Sequence, residues 1–89
     1  MDKKIYNKPW FVYIAECYDK TLYAGVAIDV DDRIESHNTT NKCRYTRHRK
    51  PVTLRYKELC GNYNIARKRE TEIKKFSRKK KFNLIESNK

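Results

Sequence analysis

The sequence predicts an α/β (α+β) fold: a small three-stranded, mostly antiparallel sheet flanked by helices, in the order ββαβαα. Three observations carry this expectation. Two runs rich in β-branched and aromatic residues stand three residues apart, a separation that suits a hairpin. A strictly alternating segment follows a helical stripe at 52–59. Two further helical patterns then close the chain, with no repeat or low-complexity linker between elements. Eighty-nine residues bound the whole as one domain, 1–89, with its core over about 9–85.

The first strand is WFVYIAEC at 10–17 and the second is TLYAGV at 21–26. With Tyr18-Asp19-Lys20 as the turn, Cys17 faces Thr21, Tyr13 lies opposite Gly25, and Ala15 lies opposite Tyr23. Side chains alternate along strands, so Tyr13 and Tyr23 share one face, next to the small partners Gly25 and Ala15. A two-residue turn would separate them. Asp29 is a natural N-cap, with Asp31 and Asp32 in the first turn, where negative charge suits the helix dipole. Val30, Arg33, Ile34 and His37 form one stripe of that helix, which ends near Asn38. NTTNKCRYTRHRK then reads as a polar, basic loop. In the third strand Val52, Leu54 and Tyr56 alternate with Thr53, Arg55 and Lys57. Gly61-Asn62 breaks the chain, and a long helix is expected from about Asn64 to Lys79, its inward stripe Ala66, Glu70, Ile73 and Phe76. Phe82, Leu84 and Ile85 suggest a short terminal helix docking back.

The net charge is +11, and its distribution is uneven. Residues 1–41 carry 5 Lys/Arg against 7 Asp/Glu, whereas residues 42–81 carry 16 against 3. Such a block attracts polyanions, nucleic acid first. No basic stretch has a clean apolar face, and the longest apolar run is too short to span a bilayer, so membrane partners are not expected. Three cysteines without C-x-x-C spacing read as reduced thiols rather than a disulfide frame or zinc site, which points to an intracellular protein, cytoplasmic or nuclear.

Phosphodiester hydrolysis needs a proton acceptor for water, positive charge on the phosphate, and usually a divalent metal on a carboxylate. Tyr13 or Tyr23, Arg33 and Glu70 offer these parts. Each also has a plain structural role: tyrosines fill cores, Arg33 can pair with Asp29, His37 can answer the helix dipole, and Glu70 can pair with Lys74. From the residues alone, nucleic-acid binding is the firmer expectation, and catalysis remains open beside it.

The order of motifs resembles the GIY-YIG nuclease superfamily, in particular its small stand-alone, UPF0213-like members. Phe11-Val12-Tyr13-Ile14 is similar to the first motif and Leu22-Tyr23-Ala24-Gly25-Val26 to the second, although Val-Tyr-Ile replaces Gly-Ile-Tyr and Ala24 replaces isoleucine. Arg33 and His37 match an arginine and a histidine four residues on. Lys42-Cys43-Arg44-Tyr45-Thr46-Arg47 looks like the small members' Lys-x-x-Tyr-Thr-Arg block. Glu70, in Ala66-Arg67-Lys68-Arg69-Glu70, matches the metal-binding glutamate, and Asn83 is the candidate for an asparagine found near the end of the fold.

The resemblance implies a DNA endonuclease using a single Mg²⁺ or Mn²⁺ on Glu70, with Tyr13 and Tyr23 as the paired tyrosines and Arg33 on the phosphate. His37 would assist proton transfer or orientation, and Tyr45 would touch the phosphate or a neighbouring group. Which tyrosine is the base stays open. Glu72 competes with Glu70, but two residues along a helix turn it about 200° away. Lys42, Arg44, Arg47, Arg49 and Lys50 in the loop, with Lys74 and Arg78 on the long helix, are expected to hold DNA phosphates. Weak sequence preference follows, with single-stranded, branched or end substrates, or a protein partner, supplying choice. Repair, mobile-element defence and recombination are all open as roles. The competing expectations are a non-cleaving nucleic-acid-binding module and an RNA- or ribosome-associated protein.

Overall fold

The computed structural model describes residues 8–87. Strand β1 spans Trp10–Glu16, β2 Leu22–Ala27 and β3 Thr53–Gly61; helix α1 spans Val30–Thr39, α2 Tyr63–Lys74 and α3 Arg78–Ser87. The element order is the expected ββαβαα. The sheet order is β2-β1-β3, with both pairings antiparallel, so the sheet is wholly rather than mostly antiparallel.

Strand β1 is central, which explains why its sequence is continuously apolar: both of its faces are covered. Val12 and Ile14 pack on one face with Ala24, Tyr56, Ile73 and Ile85, joined by Phe76 and Phe82. Tyr13, Ala15 and Cys17 pack on the other with Ala27, Val30 and Val52. Helix α1 therefore covers one face, and α2 with α3 the other.

The hairpin has the expected register, Tyr13 opposite Gly25 and Ala15 opposite Tyr23. The Cys17 N–H donates to Thr21 O at 2.9 Å, and Lys20 takes φ 73°, the left-handed residue that three-residue hairpin loops require. Helix α1 starts as expected, the Asp29 carboxylate accepting from the Asp32 N–H at 3.0 Å. At the end of β3, Gly61 sits at φ 96°, and Asn62 caps α2 by accepting from the Ile65 N–H at 2.9 Å.

The expected long helix is two helices. It stops at Lys74, closed by short bonds from the Lys75 N–H to Glu72 O and from the Phe76 N–H to Ile73 O. Ser77 then starts α3, its hydroxyl accepting from the Lys80 N–H at 3.1 Å. No glycine or proline marks the break, so periodicity ran through it. Lys74 and Arg78 consequently belong to different helices. The loop 42–50 also departs from a wholly solvated segment, because Thr46 within it is 1% exposed.

Candidate active site

A cleft of about 310 Å³ gathers side chains from four parts of the chain: Tyr13 from β1, Tyr23 from β2, Arg33 and His37 from α1, and Glu70 from α2. Lys42 and Cys43 add the loop. The floor exists because Gly25 has no side chain. A Cβ there would lie 2.5 Å from the Tyr13 hydroxyl oxygen, closer than real Cβ atoms approach a neighbour. The tyrosine ring lies across that glycine, and its hydroxyl reaches inward to α1.

There Tyr13 Oη stands 2.8 Å from His37 Nε2, and His37 Nδ1 stands 2.9 Å from Thr46 Oγ1. All three residues are buried. Burial pushes the Tyr13 hydroxyl well above the ordinary phenol range; neighbouring Tyr23 adds to the rise and Arg33 opposes it. Burial, then the Arg33 charge, lowers the His37 imidazole below its usual value, so it is neutral near pH 7. The helix-dipole role for a protonated His37 does not fit these surroundings. Tyr23 is also pushed up by burial, to about 12. Its ring packs 5.3 Å from that of His37 and 5.5 Å from that of Tyr45.

Arg33 is exposed and, among the described residues, makes no ion pair; the Asp29 pairing does not form. Glu70 is 6% exposed and faces the cleft, one carboxylate oxygen 3.4 Å from Arg67 Nε and the other 3.2 Å from Lys74 Nζ. Glu72 lies outside, exposed and paired with Arg69. The Lys74 pairing anticipated from sequence thus coexists with a carboxylate in the cleft. Among the described residues no three His, Cys, Asp or Glu are placed to hold a metal together. One buried, hard carboxylate is nevertheless a donor of the right kind for Mg²⁺ or Mn²⁺, which keep most of their shell as water and substrate phosphate.

The remaining expected contacts divide. Arg44 and Arg47 are exposed and carry no side-chain ion pair among the described residues, but neither lines the cleft. Arg49 is committed internally: its guanidinium bonds Asp19 at 3.0 Å and Tyr45 O at 2.7 Å, and lies 4.3 Å over the Tyr45 ring. Lys50 donates to Asn41. Arg78 joins Tyr45 at a separate depression. Asn83 is exposed on α3 and does not line the cleft.

Sequence reasoning missed Thr46, Arg67 and Cys43 as members of the site. Thr46 was readable only as part of its motif; its burial is a tertiary fact. Arg67 stands one turn before Glu70, so helix spacing does carry that signal. Burial works to raise the Cys43 thiol, but hydrogen bonds from Thr46 and Tyr23 outweigh it and leave the thiol below its usual value.

Comparison with known proteins places the chain in a family. Residues 9–83 match the GIY-YIG catalytic domain. A UPF0213 protein of Desulfotalea psychrophila is 46% identical over 79 residues, covering 88% of this chain and 72% of that one. One from Staphylococcus aureus is 48% identical over 75 residues, covering 84% and 92%. The solution NMR structure of the Bacillus halodurans UPF0213 protein BH0048 is 37% identical, with a TM-score of 0.56 over 88% of this chain and 83% of that one. Among the described residues no helix is long and apolar enough to cross a membrane.

Proposed function

The chain belongs to the GIY-YIG family, a family of nuclease domains, and from that premise we propose that it is a metal-dependent endonuclease hydrolysing DNA phosphodiester bonds with weak sequence preference. The observation that carries the reading is the hydrogen-bonded chain Tyr13–His37–Thr46, set beside Arg33 and Glu70 in one cleft.

Tyr13 is too weak an acid to wait as a phenolate, so it acts as a relay. With His37 protonated on Nδ1 and donating to Thr46, Nε2 is free to accept the Tyr13 proton. The Tyr13 oxygen then takes the proton of the attacking water as its own passes inward. Thr46 holds the imidazole in that orientation, and Arg33 meets the phosphate charge that develops. Tyr23, neutral and braced by Tyr45, orients the phosphate or the water. Glu70 would hold the single Mg²⁺ or Mn²⁺, with Arg67 and Lys74 giving way to it. When bound, such an ion lowers the pKa of coordinated water and offsets phosphate charge.

A second reading, a non-cleaving nucleic-acid-binding module, is favoured by one observation: both Glu70 oxygens already hold cations. Labelled single-stranded, duplex and branched DNA incubated with Mg²⁺, Mn²⁺ or EDTA separates the two, with Glu70→Gln alongside. Metal-dependent cutting that disappears in the variant while binding persists is the expected result. If both proteins bind and neither cuts, the binding module is the correct reading.

A further inference from the structure

A second cleft, of about 280 Å³, adjoins the first and is unlike it. Arg33 and Ser36 line both, so the two are continuous along the side of α1. Half-buried Trp10 lines only the second, held edge-on against Tyr63 at 4.8 Å between ring centroids. Tyr63 in turn lies under Arg67, another residue of the catalytic cleft, at 5.9 Å. The second cleft is therefore tied to the first from both α1 and α2. Its polarity is reversed. Beside the shared Arg33, the catalytic cleft has Lys42 and Arg67 against Glu70, whereas this one has Asp29 and Asp32 with no second cation. One Asp29 oxygen is used in capping, while the Asp32 carboxylate has no partner among the described residues.

A phosphate at Arg33 can continue into this cleft only as something other than another phosphate, which the two aspartates repel. The part of a nucleotide that offers a flat face to an indole and a hydrogen-bond donor to a carboxylate is a base. An exocyclic amine does so at the ring edge, whereas the N3–H of thymine lies between two carbonyl oxygens that a carboxylate repels. On these grounds we propose that the Trp10 cleft is a nucleobase subsite. It takes one unpaired base carrying an exocyclic amine, adenine, cytosine or guanine rather than thymine, from the nucleotide next to the phosphate held at Arg33. The base stacks on Trp10 and its amine donates to the unpartnered carboxylate of Asp32. A paired base keeps its faces inside the duplex, so the substrate presents that nucleotide single-stranded, in a loop, or at an end. The outcome is a preference at one position, not a recognition sequence. This deepens the nuclease reading and rests on it for the identity of the strand.

Trp10 is the only tryptophan in the chain, so its fluorescence reports this cleft alone. The experiment titrates the full chain, in EDTA so that nothing is cut, with labelled oligocytidylate, oligothymidylate and an abasic strand of equal length. Trp10 emission and label anisotropy are read together. The cytosine strand is expected to quench Trp10 and to bind about tenfold more tightly than the abasic strand, which binds without quenching. The thymine strand binds several-fold more weakly than the cytosine strand, and Asp32→Asn removes that difference. Binding of base-bearing strands without quenching overturns the proposal, as does an Asp32→Asn protein that keeps the full preference. The parent reading is tested apart from it. Quenching by a protein that cuts nothing keeps the subsite and removes the nuclease; cutting without quenching does the reverse. If no strand binds at all, both fall.

Discussion

Gly25 is the residue on which the geometry of the site turns. The Tyr13 ring fills the space a side chain would take, and Tyr13 itself is 1% exposed, so it has nowhere to move. Gly25→Ala should tear the hydroxyl from His37 Nε2. We expect kcat/KM for cleavage to fall about 10²- to 10⁴-fold, the usual worth of positioned proton transfer. Overpacking should cost about 1–3 kcal/mol in denaturant unfolding. Wild-type cutting by this variant would remove Tyr13 from the mechanism. His37 gives a pH signature. Only its neutral form can accept a proton, so the rate should rise with pH along a limb below 6.5, its value being depressed in the fold. Stability follows the same sign. The unfolded imidazole binds its proton more readily, so the stability conferred by the buried neutral ring is present above about pH 6.5 and is lost as pH falls through the folded value. Denaturation across that range should show the loss in the wild type and a flatter profile in His37→Gln.

At the scale of elements, the cleft-lining residues of α1 keep their places only if the helix is held to the sheet, and Asn38 holds it. Its side-chain amide donates to Val52 O at 2.9 Å and its oxygen accepts from the Val52 N–H at 2.6 Å, fastening the last turn of α1 to the residue before β3. Asn38→Ala leaves both backbone groups without a protein partner, and unfolding experiments should register a loss of about 1–3 kcal/mol. A loss within error would mean that water replaces the clamp. The sequence foretold where α1 begins and which stripe it turns inward, because cap and period are local. Hairpin register was legible for the same reason: Tyr18-Asp19-Lys20 fixes which residues face each other. Asn38 was not legible, since its partner lies fourteen residues on in a loop. The break between α2 and α3 was hidden by side-chain chemistry: Lys75, Phe76 and Ser77 all tolerate a helix. What ends it is a Ser77 cap, with Phe76 packing against the core. The pairing of His37 with Thr46 depends on how that loop folds over α1, which no short-range pattern encodes.

At the scale of the whole molecule, a charge of +11 sets the sign of the field but not which cations meet a substrate. The fold sorts them. Arg49, Arg55 and Arg69 are spent on Asp19, Glu16 and Glu58, and Arg67 and Lys74 on Glu70. Lys42, Arg44 and Arg47 keep their charges without a carboxylate partner among the described residues, on the segment beside the cleft of Tyr13 and Glu70. The first turn of α3, Arg78-Lys79-Lys80-Lys81, puts four positive charges where a helix dipole prefers negative ones, a local cost that a polyanion would relieve. Loop arginines that look equivalent in sequence should therefore behave differently. Replacing Arg44 and Arg47 together by Gln should flatten the plot of log affinity against log salt by about 1.4 for single strands and about 1.8 for duplex, with the thermal midpoint unchanged. Arg49→Gln should leave that slope alone and lower the midpoint instead, because its guanidinium ties the loop to the β1–β2 turn through Asp19. Salt titrations with melting curves on the same preparations decide this. A slope change for Arg49→Gln half as large as that of the Arg44 and Arg47 double replacement would mean that the Asp19 pairing opens whenever DNA is bound, and that the fold does not sort its cations in this way.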